Sequence, residues 1–437
     1  MTDYVWKKTG QDAGPDEQVM EFLAGDDVRL DRELLPFDIR ASAAHADGLR
    51  EIGILDDDEN RKIQAALETI AEEYRSGARV LDERFEDGHS AIEAWLTDML
   101  GALGRKIHTG RSRNDQVAVA LRLYLRQRLQ DLSSLCADIA GCFLERAARD
   151  ADIPVPGHTH LQKAMPSSAG LWLAGHAEAF IDNAEFSESV RSCIDASPLG
   201  TASGFGVNLP LAREKVARDL GFARLAVNPQ YAQNARGKTE LLALAALGAA
   251  TLDLRRLAWD LSLFASGEFS YVKLPERYCT GSSIMPNKNN PDTVELLRAT
   301  HAVVVGAQAE LNEVLALPSG YHRDLQATKP PVLRAFAKGL QALALVPGLV
   351  SDFSWNEPAL RRAIGPEMFA TDRATQLAAE GVPFREAYRT VASDLENPLH
   401  TDPERSLRER VSDGACSRLR LDLLNGRLAS IVKDSDS

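Results

Sequence analysis

Apolar residues recur along most of the chain with the three-to-four-residue spacing of amphipathic helices, and sustained apolar/polar alternation is missing. The segment from about Lys238 to Ser266 is apolar nearly all round at its start, which is typical of a helix buried among other helices. The pattern therefore predicts an all-α fold around a helical bundle. The long helices are expected near residues 113–149, 166–196, 238–266, 292–316 and 331–349.

Shorter helices are predicted on both sides of this bundle. Residues 31–46 and 57–74 are the clearest of them, and Ser90 with Glu93 forms a potential capping box for the next helix. We expect three domains from this organisation: an N-terminal helical domain (1–110), a central helical bundle (111–350) and a small C-terminal helical domain (351–437).

The composition excludes several classes of protein. The 437 residues carry a formal net charge of −13, which argues against nucleic acid and anionic membranes as partners. The N-terminus lacks a signal-peptide core, and the most apolar run, Leu241–Leu252, is too short to cross a bilayer. Five scattered cysteines predict neither a disulfide framework nor a metal site. We expect a soluble cytoplasmic protein without a metal.

An anionic substrate would then need a local cluster of cations, for which turns supply candidates: Arg111, Arg113, Arg236, Lys288 and Lys329.

The stretch Thr280–Asp292 combines a flexible Gly281, two serines and Lys288. It ends in Asn290-Pro291, which predicts an N-cap followed by proline at the first helical position. A hydroxyl, an ammonium and a helix N-terminus in one loop suit a small anionic substrate. A polar interhelical loop capped for stability is the alternative, and spacing alone does not separate the two.

The segment Gly104–Gln116 brings Arg111, Ser112, Arg113 and Asn114 to the start of a long helix. Capping explains one polar residue there, and two arginines oppose the local helix dipole unless an anion is bound. This mismatch favours an anion-binding loop.

Histidines stand in two further loops. His158 and His160 would alternate sides in an extended chain, so we do not expect them to share a metal, and one could donate a proton. His89 is expected just outside a helix start, where a ligand role is favoured. The glycine-rich run 198–210 lacks a preceding strand and nucleotide-binding spacing, so no nucleotide site is predicted there.

Several blocks together resemble the argininosuccinate lyase family of the fumarase/aspartase superfamily. The signature loop Gly-Ser-Ser-x-Met-Pro-x-Lys-x-Asn covers residues 281–290. The discriminating blocks are Gly-Arg-Ser-Arg-Asn-Asp-Gln at 110–116 and Ser-Gly-Tyr-His-Arg-Asp-Leu-Gln at 319–326. Gly-His-Thr-His-Leu-Gln at 157–162 agrees with them, and the resemblance extends from about residue 20 to 395.

The resemblance implies a three-domain, all-α subunit that assembles into a homotetramer around a twenty-helix core. Each active site of the family is built from three subunits, and it splits argininosuccinate into arginine and fumarate without a cofactor. The family pattern also implies roles for individual residues of this sequence. Ser282 matches the catalytic base, His160 the acid, Glu295 its partner, and Lys288 with Asn290 the residues that hold a substrate carboxylate.

Further substrate contacts are implied by position in the same motifs. Arg113, Asn114 and Thr159 resemble fumarate-side binders, and Tyr321, Gln326 and Lys329 resemble arginine-side contacts, with Arg236 and His89 as contributors. Two positions depart from the family pattern. Asp27 replaces a frequent substrate-binding serine, and Gly237 stands where an acidic residue is frequent.

Two alternatives remain at this stage: a non-catalytic structural protein on the same scaffold, and a lyase of another succinyl compound such as adenylosuccinate. The intact set of Ser282, His160, Lys288 and Glu295 argues against the first. The absence of a phosphate-binding sequence pattern argues against the second.

Overall fold

The computed structural model describes residues 17–395 and 400–435, and within them the fold is mostly helical, as predicted. The α-helices are α1 Glu17–Glu51, α2 Asp57–Arg75, α3 Gly88–Leu100, α4 Arg113–Arg149, α5 Ala169–Ile194, α6 Arg213–Asp219, α7 Pro229–Asn234, α8 Lys238–Phe264, α9 Asp292–Val314, α10 Lys329–Leu343, α11 Val346–Asp352, α12 Glu357–Ala363, α13 Ala370–Ala379, α14 Phe384–Ala392, α15 Pro403–Glu409 and α16 Leu421–Ser435.

Short strands lie between some of these helices and pair with one another. They are β1 Pro154–Thr159, β2 Gln162–Ser168, β3 Ala196–Ser197, β4 Arg224–Leu225, β5 Val272–Lys273, β6 Thr280–Gly281, β7 Asn289–Asn290 and β8 Ser354–Trp355. The pairs β1–β2, β5–β8 and β6–β7 are antiparallel, and β3–β4 is parallel.

The chain forms two compact units. Unit 1 comprises Met1–Gln130, Glu188–Ala246 and Val305–Ala337, of which residues 1–16 lie outside the described part. In unit 1, α1, α2 and α3 bury an apolar cluster that includes Leu35, Leu49, Ile63, Leu67 and Ile92. Asp56 caps α2 by accepting hydrogen bonds from the N–H groups of Asp58 and Glu59. This packing holds the first turn of α3 against α1.

Unit 2 comprises Asp131–Ser187, Leu247–Val304 and Lys338–Ser437. Phe143 and Phe180 stack with ring centroids 6.1 Å apart where α4 faces α5. Arg146 of α4 donates hydrogen bonds to the carbonyls of Val350 and Phe353, which satisfies two carbonyls at the end of α11. Trp172 packs near Phe353 in the same region.

The segment 154–168 differs most from its prediction. It was expected to be an extended loop with a helix from Pro166, but it forms the β1–β2 hairpin and α5 begins only at Ala169. His160 and Leu161 form the turn with φ of 54° and 59°. Three prolines and a glycine in this stretch weaken the strand signal, and the turn lacks the usual glycine or asparagine.

The residues predicted to cap two helices take other positions. Asp87 is the N-cap of α3 and Ser90 occupies its third position, so the predicted Ser90–Glu93 capping box was wrong. Helix α9 begins at Asp292, close to its predicted start, but Asn290, the predicted N-cap, pairs with Thr280 in the β6–β7 ladder.

Among the described residues, the stretch Arg323–Asp352 passes a length-and-composition test for a membrane span. Half of its most apolar window is buried, as in the core helix of a globular protein.

Candidate active site

A cavity of about 200 Å³ in unit 1 gathers most of the predicted substrate-binding residues. It is lined by side chains from α1, the start of α3, the start of α4, the turn before α8 and the segment 321–329. Eight of the sequence-predicted residues are among those that line it: Asp27, His89, Arg113, Asn114, Arg236, Tyr321, Gln326 and Lys329. Residues as far apart in the sequence as Asp27 and Lys329 therefore meet in one pocket.

Lys329 is the most deeply buried cation of this cavity, with its side chain 4% exposed. Its Nζ lies 2.6 Å from Asp27 Oδ1 and 2.7 Å from Asp31 Oδ1. Burial alone would lower the pKa of Lys329, but the two aspartates outweigh it and raise that pKa. Asp31 also accepts a hydrogen bond from the N–H of Gly88 at the start of α3, 3.0 Å away.

His89 lies inside the first turn of α3, not outside the helix as expected, and its ring is buried. Its Nδ1 hydrogen-bonds to the Asp38 carboxylate, and its Nε2 has no hydrogen-bond partner in the described part of the chain. Burial acts to lower the pKa of His89, but the Asp38 carboxylate outweighs this effect. The pKa of His89 therefore lies above its ordinary value. The result is a carboxylate-held imidazole beside the cavity.

Arg113 has protein carboxylates as partners. Its Nη2 lies 3.0 Å from Glu86 and 2.6 Å from Asp87, and these acids provide the negative charge that the helix start requires. The charge of Arg113 is therefore balanced without the bound anion that the sequence predicts at this position. Arg111 donates a hydrogen bond from Nη1 to the Oγ of buried Ser42 at 2.9 Å, and it does not line the cavity.

Arg236 is buried and its guanidinium lies 5.4 Å from the centre of the Tyr321 ring. Its Nε and Nη1 atoms have no hydrogen-bond partner among the described residues. Burial lowers the pKa of Arg236, against the opposing effect of Glu240.

The next residue, Gly237, has φ of 78°, and a Cβ there would lie 2.2 Å from Leu315. The acidic residue frequent in the family would therefore be strained here.

Gln326 donates a hydrogen bond to the carbonyl of Leu23 at 2.7 Å, and Arg323 donates to the same oxygen at 2.9 Å. Both bonds fix the segment 323–328 against the beginning of α1.

Asp115 is a buried residue whose structural role was not predicted from the sequence. Its Oδ1 accepts from the N–H of Ser112, and its Oδ2 accepts from the N–H groups of Gly200 and Ala202, all at 2.9 Å. The glycine-rich loop thus uses these two donors on a protein carboxylate. This gives a physical reason why the loop is not a phosphate cradle.

The signature loop belongs to unit 2 and is closed at its base by the β6–β7 pairing. Ser282 Oγ accepts hydrogen bonds from the N–H groups of Met285 at 3.1 Å and Ile284 at 3.4 Å. Such donors stabilise negative charge on the oxygen. Lys288 is exposed in the same loop, and Asn290 lies at its base.

Thr159 and His160 lie at the exposed end of the β1–β2 hairpin, also in unit 2. Thr159 lines a separate cavity of about 840 Å³ with residues that include Asp372 and Arg410. Glu295 in the first turn of α9 is 3.9 Å from Arg298, and no ion pair joins it to His160 within the described chain. The predicted Glu295–His160 pairing thus stays a prediction.

The described residues contain no group of three or more histidine, cysteine or acidic side chains that could hold a metal ion.

Comparisons with known proteins define the class first. Residues 15–306 match a family described as Lyase. The fold is similar to an EDDS lyase in complex with formate, with a TM-score of 0.80, 23% identity, and coverage of 97% of this chain and 91% of that one. It is also similar to class II fumarase from Schistosoma mansoni, with a TM-score of 0.72, 17% identity and 94% coverage of each chain. These similarities indicate a lyase fold.

Sequence identity narrows the class. The chain is 55% identical to argininosuccinate lyase from Stenotrophomonas maltophilia (strain K279a) over 428 residues, which cover 98% of this chain and 99% of the relative. The chain belongs to the argininosuccinate lyase family.

Proposed function

We propose that the protein is an argininosuccinate lyase that forms L-arginine and fumarate by cofactor-independent elimination. The observation that carries this proposal is the unit 1 cavity, which collects eight residues that the sequence predicts as substrate contacts, in a chain 55% identical to such a lyase. A pocket rich in both charge signs suits a substrate that carries carboxylates, an ammonium and a guanidinium.

In this mechanism, Ser282 as an alkoxide removes a proton from the carbon next to a substrate carboxylate. The released electron pair forms the carbon–carbon double bond of fumarate as the carbon–nitrogen bond breaks. His160 donates a proton to the departing guanidino nitrogen, so one proton is taken and one is returned. The backbone N–H groups on Ser282 Oγ support this role because they lower the cost of negative charge on the oxygen.

Lys288 and Asn290 would hold the carboxylate on which charge develops, because both belong to the signature loop. Glu295 would orient His160, as a carboxylate hydrogen-bonded to an imidazole does. Arg113, Asn114 and Thr159 are assigned to the fumarate half of the substrate. Tyr321, Gln326 and Lys329 are assigned to the arginine half.

We further propose that the protein is a cytoplasmic homotetramer of three-domain subunits. Its active sites would combine the unit 1 cavity of one subunit with the signature loop and the hairpin of two others. Exposed apolar side chains on the long helices, among them Leu252, Trp259 and Leu296, support an assembly through these helices.

Mixing inactive variants tests both the residue roles and the shared site. Ser282→Ala and His160→Asn should each form tetramers without turnover, and tetramers mixed from both should recover activity because some sites receive one intact copy of each group. Unmixed variants treated identically are the control. Failure of confirmed mixed tetramers to recover any turnover would contradict shared sites, and substantial activity of Ser282→Ala alone would contradict its role as base.

A further inference from the structure

The β1–β2 hairpin carries two residues with proposed roles, Thr159 and His160, at its exposed end. Two residues of β1 and one of β2 are prolines, which cannot donate a hydrogen bond to the ladder. A two-stranded hairpin on its own is at best marginally stable in water. The direction in which this hairpin points must therefore be fixed by the parts of unit 2 that pack against it.

The two strands of the hairpin bend at Gly157. The pairing register shifts between Pro156 and His158, which marks a β-bulge at this glycine. A Cβ at Gly157 would lie 2.7 Å from the carbonyl oxygen of Met165, so the two strands approach closely there. A bulge redirects the strand that follows it, and the position of Met165 therefore affects where His160 at the tip points.

Met165 contacts Arg410, which directly follows α15. Nη1 of Arg410 donates a hydrogen bond to Met165 Sδ at 3.3 Å. Nη2 of the same guanidinium donates to Asp372 Oδ1 of α13 at 2.9 Å and to Ser406 Oγ of α15 at 3.1 Å. Ser406 Oγ in turn donates to Asp372 Oδ2 at 2.6 Å. One guanidinium thus joins strand β2 to two helices of the C-terminal segment.

The partners of this guanidinium determine which way it faces. The side chain of Asp372 is 10% exposed and that of Arg410 is 17% exposed. A thioether is a weak acceptor, so the contact with Met165 alone would not hold a strand. Hydrogen bonds to a carboxylate are stronger and fix the planar guanidinium in one orientation. The guanidinium held by Asp372 then presents Nη1 to Met165.

An open cavity lies beside this link. Its volume is about 840 Å³, and it is lined by the hairpin, the first turn of α5, α13, α15 and the turn after α15. Met165, Asp372 and Arg410 are among the residues that line it. Protein interiors are normally close-packed, so open space here deprives the hairpin of apolar contacts that would otherwise fix it. The hydrogen bonds of Arg410 therefore support the hairpin where side-chain packing is incomplete.

We propose that Asp372 and Arg410 are positioning residues for the elimination: by holding Met165 they set the orientation of the hairpin and, through it, of His160. This rests on the proposed function, in which His160 donates a proton to the departing nitrogen. A catalytic group displaced by about 1 Å can lose about a hundredfold in rate, so damage to the pair should lower kcat. KM should change little, because the cavity assigned to the arginine half of the substrate lies in unit 1.

Steady-state release of fumarate from argininosuccinate separates positioning from substrate binding. We expect Arg410→Gln and Asp372→Asn to lower kcat about ten- to a hundredfold, while KM stays within about threefold of the wild-type value. Arg405→Gln is the matched control, because Arg405 lines the same cavity but its ion pair with Glu409 is exposed. This control should keep the wild-type kcat. Size-exclusion chromatography and melting curves establish that each variant keeps the assembly and fold of the wild type.

Arg410→Lys distinguishes the link to Met165 from the charge pair. Lysine keeps a positive charge beside Asp372, but its ammonium lacks the planar fork that reaches Asp372 and Met165 together. We expect a melting temperature close to that of the wild type and a kcat about three- to tenfold lower. A wild-type kcat in Arg410→Lys would overturn the proposal. A loss of stability without a loss of kcat in Arg410→Gln and Asp372→Asn would do the same.

A signal from Met165 itself tests the link independently of activity. The chain has six methionines, and labelling their methyl groups with carbon-13 gives a small set of NMR signals, of which Met165→Leu identifies one. We expect Asp372→Asn to shift or split the Met165 signal, because Arg410 loses its charged partner, and Arg405→Gln to leave that signal unchanged. An unmoved Met165 signal in Asp372→Asn would overturn the proposal.

The kinetic and NMR assays together separate failure of this proposal from failure of the proposed function. If the wild type releases no fumarate while the Met165 signal responds, the proposed function is wrong and the support of the hairpin by Asp372 and Arg410 stands. If the wild type releases fumarate and the variants match its kcat, the positioning role is wrong and the proposed function stands.

Discussion

Lys329→Met removes the ammonium that neutralises Asp27 and Asp31, and should destabilise the protein independently of substrate. Methionine has a similar length and replaces the Nζ that lies 2.6 Å from Asp27 and 2.7 Å from Asp31. Removing one partner of a buried ion pair typically costs about 3–5 kcal/mol. Because Asp27 is 14% exposed at the cavity and Asp31 keeps the N–H of Gly88, we expect the lower end, about 3 kcal/mol at pH 7.

The loss should also depend on pH. The raised pKa of Lys329 means that its stabilising contribution is complete below its ordinary value of 10.5 and is lost only as the pH rises through the folded-state value. The wild type therefore has the full contribution at pH 7. In the variant, Asp27 loses the ammonium that lowers its pKa and offsets its negative charge. Protonation of Asp27 removes that charge, and the destabilisation it causes disappears with it. The stability gap should narrow as the pH falls toward the carboxyl range.

Urea unfolding at fixed protein concentration measures the free energy of unfolding, because oligomer stability depends on concentration. Asp31→Asn supplies the matched background, since asparagine retains an oxygen for the N–H of Gly88 and removes one charge. We expect Lys329→Met to cost less than half as much in that background as in the wild type. A Lys329→Met protein as stable as wild type, or an equal loss in both backgrounds, would refute this account of the cavity.

Two other substitutions test neighbouring features. The stabilisation from the His89–Asp38 pair should be complete below about pH 6.5 and be lost as the pH rises through the raised pKa of His89. The difference in melting temperature between wild type and His89→Gln should therefore narrow above pH 6.5, and a gap constant from pH 6 to 9 would contradict the pairing. Gly237→Ala should cost about 2 kcal/mol or more, from the positive φ and the clash with Leu315. Denaturant unfolding measures this loss of stability. Adding Leu315→Ala to Gly237→Ala should relieve the clash but not the cost of the backbone conformation. A Gly237→Ala protein as stable as wild type would show that the strain is absent.

The long helices could be predicted because their signal is local. Helices α4, α8 and α9 begin and end within a few residues of their predicted bounds, where apolar periodicity spans many turns. The β1–β2 hairpin could not, because Pro154, Pro156 and Pro166 contradict strand propensity while partner pairing supplies the compensating hydrogen bonds.

Sequence motifs led to eight residues that line one cavity, but they did not indicate which side chains pair with those residues. Motif similarity located Arg113 and Lys329. Nothing in the neighbouring sequence indicated that Glu86 and Asp87 neutralise Arg113. Nor did it indicate that Lys329 is shared between two aspartates of α1. One signal was available: residues 27, 31 and 38 lie on one face of α1, since their spacings of four and seven match helical turns. An acidic stripe on a buried face indicates cationic partners elsewhere in the chain.

The ultraviolet absorbance of released fumarate reports directly whether the protein splits argininosuccinate. Purified protein is mixed with argininosuccinate, with adenylosuccinate in a parallel cuvette and Ser282→Ala as the inactive control. We expect a rise with argininosuccinate alone, and none with the control. A rise with adenylosuccinate would retain the elimination and overturn the substrate, and no rise with either compound from folded wild-type protein would contradict the proposed function.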